Sequence, residues 1–160
     1  SFQFGGLLRK FSAMSDQEFS ELIKKRPLKA EFYQSFNKNT GFTQDQIFDS
    51  LAVISRTAKR MEEMLDKFGG PWLLGADYSL ADIAVLPLID RIEDLGLDGL
   101  WIEPYPSVSR WLINAQQRTA TNKSYFHGSR LSEQFPDLVK GPGSLSDWTD
   151  NYFKARGNKD

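Results

Sequence analysis

Few side chains in this chain have types and spacing suited to chemistry, and most of those also have a structural use. Ser79 and Asp82 put a hydroxyl and a carboxylate three positions apart, a pairing that could pass for catalytic groups. The same spacing is that of a capping box, in which the two residues satisfy each other's free backbone N–H groups at a helix start. The surrounding Tyr78-Ser79-Leu80-Ala81-Asp82-Ile83 favours the cap, with Tyr78 and Ile83 placed as a hydrophobic staple. His127 is the single histidine, so a His-rich metal site is excluded and a catalytic triad has no other support. It follows Tyr125 and Phe126 and reads as a packed or surface residue. Asp90, Glu93 and Asp94 suggest paired carboxylates, but Arg91 among them at a helix end makes a solvated charge cluster. Lys24, Lys25 and Arg26 suit the negative end of a helix dipole. No catalytic residue and no metal ligand is assigned.

Composition narrows the function classes further. Cysteine is absent, which removes disulfides, a thiol nucleophile and Cys-ligated metals, and agrees with a reducing, cytoplasmic setting. Lys and Arg number 20 against 21 Asp and Glu, for a net charge of −1. That balance offers no pull on nucleic acid or an anionic membrane, and neither is expected as a partner. No apolar run approaches the roughly 20 residues of a membrane-spanning helix. With 160 residues and 40% hydrophobic content, the chain can bury a sizeable core. Residues 1–143 are read as one helical domain and 144–160 as a tail with a possible short helix.

The elements that must position these groups are helical. Phe2, Phe4, Leu7, Leu8 and Phe11 recur at helix-compatible spacing, although Gly5-Gly6 weakens that segment. Ser15 with Glu18 forms a capping box ahead of Phe19, Leu22 and Ile23. After Pro27, Leu28, Phe32, Tyr33 and Phe36 make the next apolar stripe. Thr43 with Gln46 opens the most regular helix, in which Ile47, Leu51, Ile54, Ala58, Met61, Leu65 and Phe68 alternate steps of four and three. Gly69-Gly70-Pro71 ends it. The helix from Ser79 is apolar on nearly all sides, through Ile83, Ala84, Val85, Leu86, Leu88 and Ile89, and should be buried. Pro87 interrupts its hydrogen bonding, and the charged run from Asp90 to Asp94 marks its emergence into solvent. Pro106 starts a further helix with Val108, Trp111, Leu112 and Ala115 on one face. Ser144 or Ser146 is expected to cap a last helix carrying Trp148, Tyr152 and Phe153. No alternating run reads as a strand, so the fold class is all-α.

The stretch Pro71 to Ile89, PWLLGADYSLADIAVLPLI, resembles the core signature of glutathione transferase C-terminal domains. Ser79 and Asp82 match that family's capping-box positions, and Tyr78 matches its staple position. Tyr105-Pro106-Ser107-Val108-Ser109-Arg110-Trp111 is similar to its Pro-to-helix segment, and the resemblance runs from about Phe2 to Arg118. It implies a helical bundle around a buried central helix starting at Ser79. The subset it most resembles is bacterial, related to members that cleave aryl ethers or dehalogenate aromatics.

A complete glutathione transferase also has a thioredoxin-like N-terminal domain, which binds glutathione and carries the catalytic Ser, Tyr or Cys. Nothing in this chain matches that domain, so it is expected to be the second half of an enzyme, with glutathione a co-substrate held mainly by the missing domain. The resemblance implies a homodimer and an electrophilic, hydrophobic, aromatic substrate walled by Phe2, Phe4, Leu8 and Tyr125, with Arg9 assisting an anionic group; core packing or contact with the missing domain is the competing, and favoured, reading of those side chains. The alternatives are a non-catalytic interaction or scaffolding module of the same fold and a natural stand-alone helical protein.

Overall fold

A computed structural model describes residues 9–124, 130–134, 136 and 145–157. They are helical, and among them there is no strand; two isolated bridges, Asn37 with Gly41 and Trp72 with Gly75, close turns. The chain forms two compact units, divided between Asp49 and Ser50. The domain boundary expected at Gly143 lies outside the described residues.

In the first unit, residues 9–12 are helical and lead to α1 (Asp16–Lys24), a 3-10 turn (Pro27–Lys29) and α2 (Ala30–Ser35). The Ser15–Glu18 box is complete: the Ser15 N–H donates to the Glu18 carboxylate at 2.8 Å, and the Glu18 N–H donates to Ser15 Oγ at 3.2 Å. Phe11, Tyr33 and Phe36 form the buried centre, with Met14, Phe19, Leu22, Ile23 and Phe42 packed around it. The rings meet edge to face, Phe11 lying 5.7 Å from Tyr33 and 5.4 Å from Phe36, a favoured geometry for aromatic quadrupoles. Leu28 departs from the expected stripe. It lies in the 3-10 turn that Pro27 imposes and is fully exposed, and Phe32 is 41% exposed. At Asn37 the side-chain oxygen accepts from the N–H groups of Asn39 and Thr40, and Gly41 takes φ 78°, which together make the expected turn.

α3 (Gln44–Phe68) contains the division. At its start the Thr43 N–H donates to Gln46 Oε1 at 2.8 Å, and the Gln46 N–H returns to Thr43 Oγ1 at 3.3 Å. In the second unit this helix buries Leu51, Ala58, Met61 and Leu65, the face that the spacing predicts, while Phe68 is left 46% exposed. Gly69 ends it in the left-handed region at φ 63°, donating its N–H to the Leu65 carbonyl at 3.0 Å. Gly70 then passes so close to the next turn that a Cβ on it would stand 1.9 Å from the Gly75 carbonyl oxygen. Trp72 and Gly75 exchange backbone hydrogen bonds across that turn, which leaves Leu73 pointing into the core, 2% exposed.

α4 (Leu80–Asp94) follows, then a 3-10 turn (Asp98–Leu100), α5 (Pro106–Gln116) and α6 (Thr119–Ser124). α5 packs on α4 and buries Val108, Trp111, Leu112 and Ala115. Its own cap residue, Tyr105, supplies no side-chain bond. Instead the Glu62 carboxylate of α3 accepts from the Ser107 and Val108 N–H groups at 3.1 and 3.0 Å, which satisfies two free donors and the helix dipole. α7 (Leu131–Gln134) and α8 (Leu145–Gly157) complete the described chain. Tyr152 and Thr149 of α8 are buried, and α8 packs on the Asp98–Leu100 turn, where Gly99 admits Thr149. Ser144 and the Ser146 side chain lie outside what the structure describes.

α4 corrects the expectation of a helix buried on all sides. It buries Asp82, Leu86, Ile89, Asp90 and Asp94, and it leaves Leu80 81%, Ile83 52% and Leu88 65% exposed. Three carboxylates thus face inward while a row of aliphatic side chains faces out. Hydrophobic content alone does not decide which side of a helix is inside; the donors waiting in the core decide it here.

Candidate functional site

At the start of α4, Ser79 occupies the N-cap with extended backbone, φ −118° and ψ 174°. Asp82 is fully buried, and its two oxygens receive four donors. Oδ2 accepts from the Ser79 N–H at 2.9 Å and the Ser79 hydroxyl at 2.8 Å. Oδ1 accepts from the Leu73 N–H at 2.9 Å and the Trp111 indole N–H at 2.8 Å. Burial alone would push this carboxyl up, but the bonds from Leu73, Trp111 and Ser79 outweigh it and hold the group below the ordinary carboxylate range. A carboxylate with every lone-pair site filled and no solvent access has no capacity left for proton transfer. Asp82 joins the turn before α4, the first turn of α4 and the middle of α5.

The other end of α4 corrects the expectation of a solvated cluster. Asp90 and Asp94 are 6% and 3% exposed, and Arg130 reaches back across the sequence to them. Its guanidinium pairs with Asp90 at 3.2 Å, with Asp94 at 3.4 Å and, more closely, with Glu93. Asp94 also accepts from the Leu131 N–H at 2.8 Å, the Ser132 N–H at 3.1 Å and Arg91 at 2.7 Å. Gln116 of α5 donates to Asp90 at 2.8 Å. Burial works to raise the Asp94 carboxyl, but the Ser132 and Leu131 bonds and the Arg130 charge bring it below its usual value. The same carboxylates raise the Arg130 guanidinium against its own desolvation.

Between these two ends, the flank of α4 and the start of α6 border a cavity of about 530 Å³ that opens to solvent. Ile83, Leu86 and Pro87 supply its apolar lining, and Tyr78, Arg118 and Thr121 also line it. Tyr78 packs edge to face on Trp72 at 4.7 Å, and the Arg118 guanidinium lies 3.7 Å from the Tyr78 ring centroid and 5.6 Å from that of Trp72. Tyr78 and Ile83 therefore both line the cavity, with Ile83 half-exposed.

Of the residues expected to wall a substrate, Phe2, Phe4, Leu8 and Tyr125 lie outside the described residues, as does His127. Arg9 is exposed on the first described turn. Four residues were not singled out by sequence reasoning: Trp111, placed only on an apolar helix face, and Glu62, Arg118 and Arg130. None of the four carries a local signal, because each acts on a group far away in sequence.

Residues 44–114 match the family model described as Glutathione S-transferase, C-terminal domain. No curated protein and no solved structure matches the chain. The matched segment runs from the first residue of α3 through the Asp82 hub to the inner face of α5, so it contains the cap, the turn and the packing just described. That match supports a glutathione S-transferase C-terminal domain across residues 44–114 of the chain.

Proposed function

We propose that the chain is the helical half of a glutathione transferase, working with a thioredoxin-like domain that binds glutathione and activates its thiol. The observation that carries this reading, beside the family match, is the outer stripe of α4. Leu80, Ala84 and Leu88 are spaced four apart and exposed, while Asp82, Asp90 and Asp94 of the same helix are turned inward. An aliphatic row of this kind is stable in water only at a cost of about 25 cal/mol per Å² left uncovered, so it suits a face that another domain covers. The parent reaction is conjugation or glutathione-dependent cleavage of an electrophilic, aromatic substrate. The thiolate attacks the electrophilic carbon and the leaving group departs with its electron pair. The helical domain contributes the hydrophobic wall, proposed at Phe2, Phe4, Leu8, Arg9 and Tyr125, and a homodimer surface in a cytoplasmic protein. Its part is to position and desolvate the substrate.

The isolated chain is expected to show no conjugation of glutathione with a chloronitrobenzene above the uncatalysed rate; robust turnover overturns the proposal. The upstream reading frame discriminates further. A thioredoxin-like segment ending before Ser1 supports the transferase, whereas an unrelated domain favours the alternative, a non-catalytic interaction module.

A further inference from the structure

The cavity beside α4 has an electrostatic imbalance. Of the charged groups around it, Asp90 is engaged by Arg130 and Gln116, and Arg91 by Asp94. Arg118 is different. No hydrogen bond or ion pair to its guanidinium is found among the described residues, and its contacts are the faces of Tyr78 and Trp72. Stacking on Tyr78 at 3.7 Å fixes the plane of the guanidinium and leaves its N–H edge, a planar fork suited to two oxygens, without a partner. Side-chain freedom has therefore been given up before any ligand arrives, which lowers the cost of capturing one. The remaining wall is Ile83, Leu86 and Pro87, a surface that favours a flat apolar body. At about 530 Å³ the cavity falls within the range that small organic ligands occupy, roughly 300–1,000 Å³.

We propose that this cavity binds a small organic acid, a carboxylate carried on a flat apolar ring system, with Arg118 holding the carboxylate and Tyr78, Ile83 and Pro87 holding the ring. The proposal rests on the lining of the cavity alone, and it stands or falls independently of the transferase reading.

The test is calorimetric titration of the whole chain with 2-naphthoate and with its neutral counterpart, 2-naphthalenemethanol. The acid binds more tightly than the alcohol on the unaltered chain, a comparison that needs no variant. Arg118→Gln weakens the acid by about tenfold or more and leaves the alcohol unchanged, since a bond to a charged group is what is lost. Arg118→Lys restores part of the acid's affinity. Ala120→Trp, at an exposed position on the cavity rim, removes both ligands. Equal affinity for acid and alcohol overturns the proposal. So does an equal loss of both in Arg118→Gln, or undiminished acid binding in Ala120→Trp.

Discussion

Replacing Asp82 with alanine tests the hub most directly, because the four donors it serves differ in their access to water. Ser79 is only part-buried, so its N–H and hydroxyl can turn to solvent. Leu73 and Trp111 cannot, being 2% and 1% exposed. Each stranded buried donor costs about 1–3 kcal/mol, so the two contribute about 2–6 kcal/mol. The lost cap adds about 1 kcal/mol. Relief of the carboxylate's own desolvation trims the sum, and we expect a net loss of about 4 kcal/mol, a large share of the roughly 5–15 kcal/mol that holds a domain together. Trp111→Phe removes one donor but leaves Oδ1 bonded to Leu73, and costs about 1–2 kcal/mol. In the double variant the indole donor is no longer stranded, so the two losses overlap by about 1–3 kcal/mol. Urea unfolding followed by tryptophan fluorescence is the assay. Trp72, Trp101, Trp111 and Trp148 all lie in the second unit, so the signal reports that unit alone. Additivity within about 0.5 kcal/mol would mean that the indole–carboxylate bond carries no energy, and it would refute the hub.

Three other outcomes are expected. Asp82 and Asp94 sit below their ordinary values in the folded chain, so the unfolded chain binds more protons in acid; their stabilisation is full above about pH 4 and is lost as pH falls further, which urea midpoints measured between about pH 6 and pH 2 will show. Gly70→Ala drives a Cβ into the backbone of Gly75 and costs about 3 kcal/mol, whereas Gly99→Ala meets the buried Thr149 side chain instead of backbone and costs less, about 1–2 kcal/mol, by thermal melting. Arg130→Met removes the cation paired with buried Asp90, leaves Asp94 with Arg91, and costs about 3 kcal/mol; a melting temperature within about 1 °C of the parent would count against the network.

How far the chain could be read from its residues depended on sequence distance. The caps at Ser15 and Thr43 were legible because both partners lie three residues apart and the geometry is intrinsic to a helix start. The inner faces of α3 and α5 were legible from periodicity for the same reason. The bond from Trp111 to Asp82 spans 29 residues, that from Arg130 to Asp90 spans 40, and that from Ser107 to Glu62 spans 45. No local pattern announces such a bond, so nothing singled out Glu62, and Asp90 read as solvated. Leu28 failed in the opposite direction. Its spacing fitted a helical stripe, but Pro27 converts the segment to a 3-10 turn, which moves that side chain off the face.

α4 brings these limits together at one element. Its aliphatic content says that it is covered on most sides, and its three aspartates decide which side is covered by this unit. Burying an aspartate is costly unless donors meet it, so the inner face must be the one where donors converge. Leu73 and Trp111 meet Asp82; Arg130, Leu131 and Ser132 meet Asp94; Gln116 and Arg130 meet Asp90. With the carboxylates holding the helix in that rotation, Leu80, Ala84 and Leu88 have no choice but to face outward. Rotating the helix to bury them would strand those donors and expose core positions Leu86 and Ile89 in exchange. The exposed row is thus a consequence of where the polar partners sit and not a packing defect. The residues that fix it, Asp82, Asp90 and Asp94, are the ones that looked at first like candidates for chemistry.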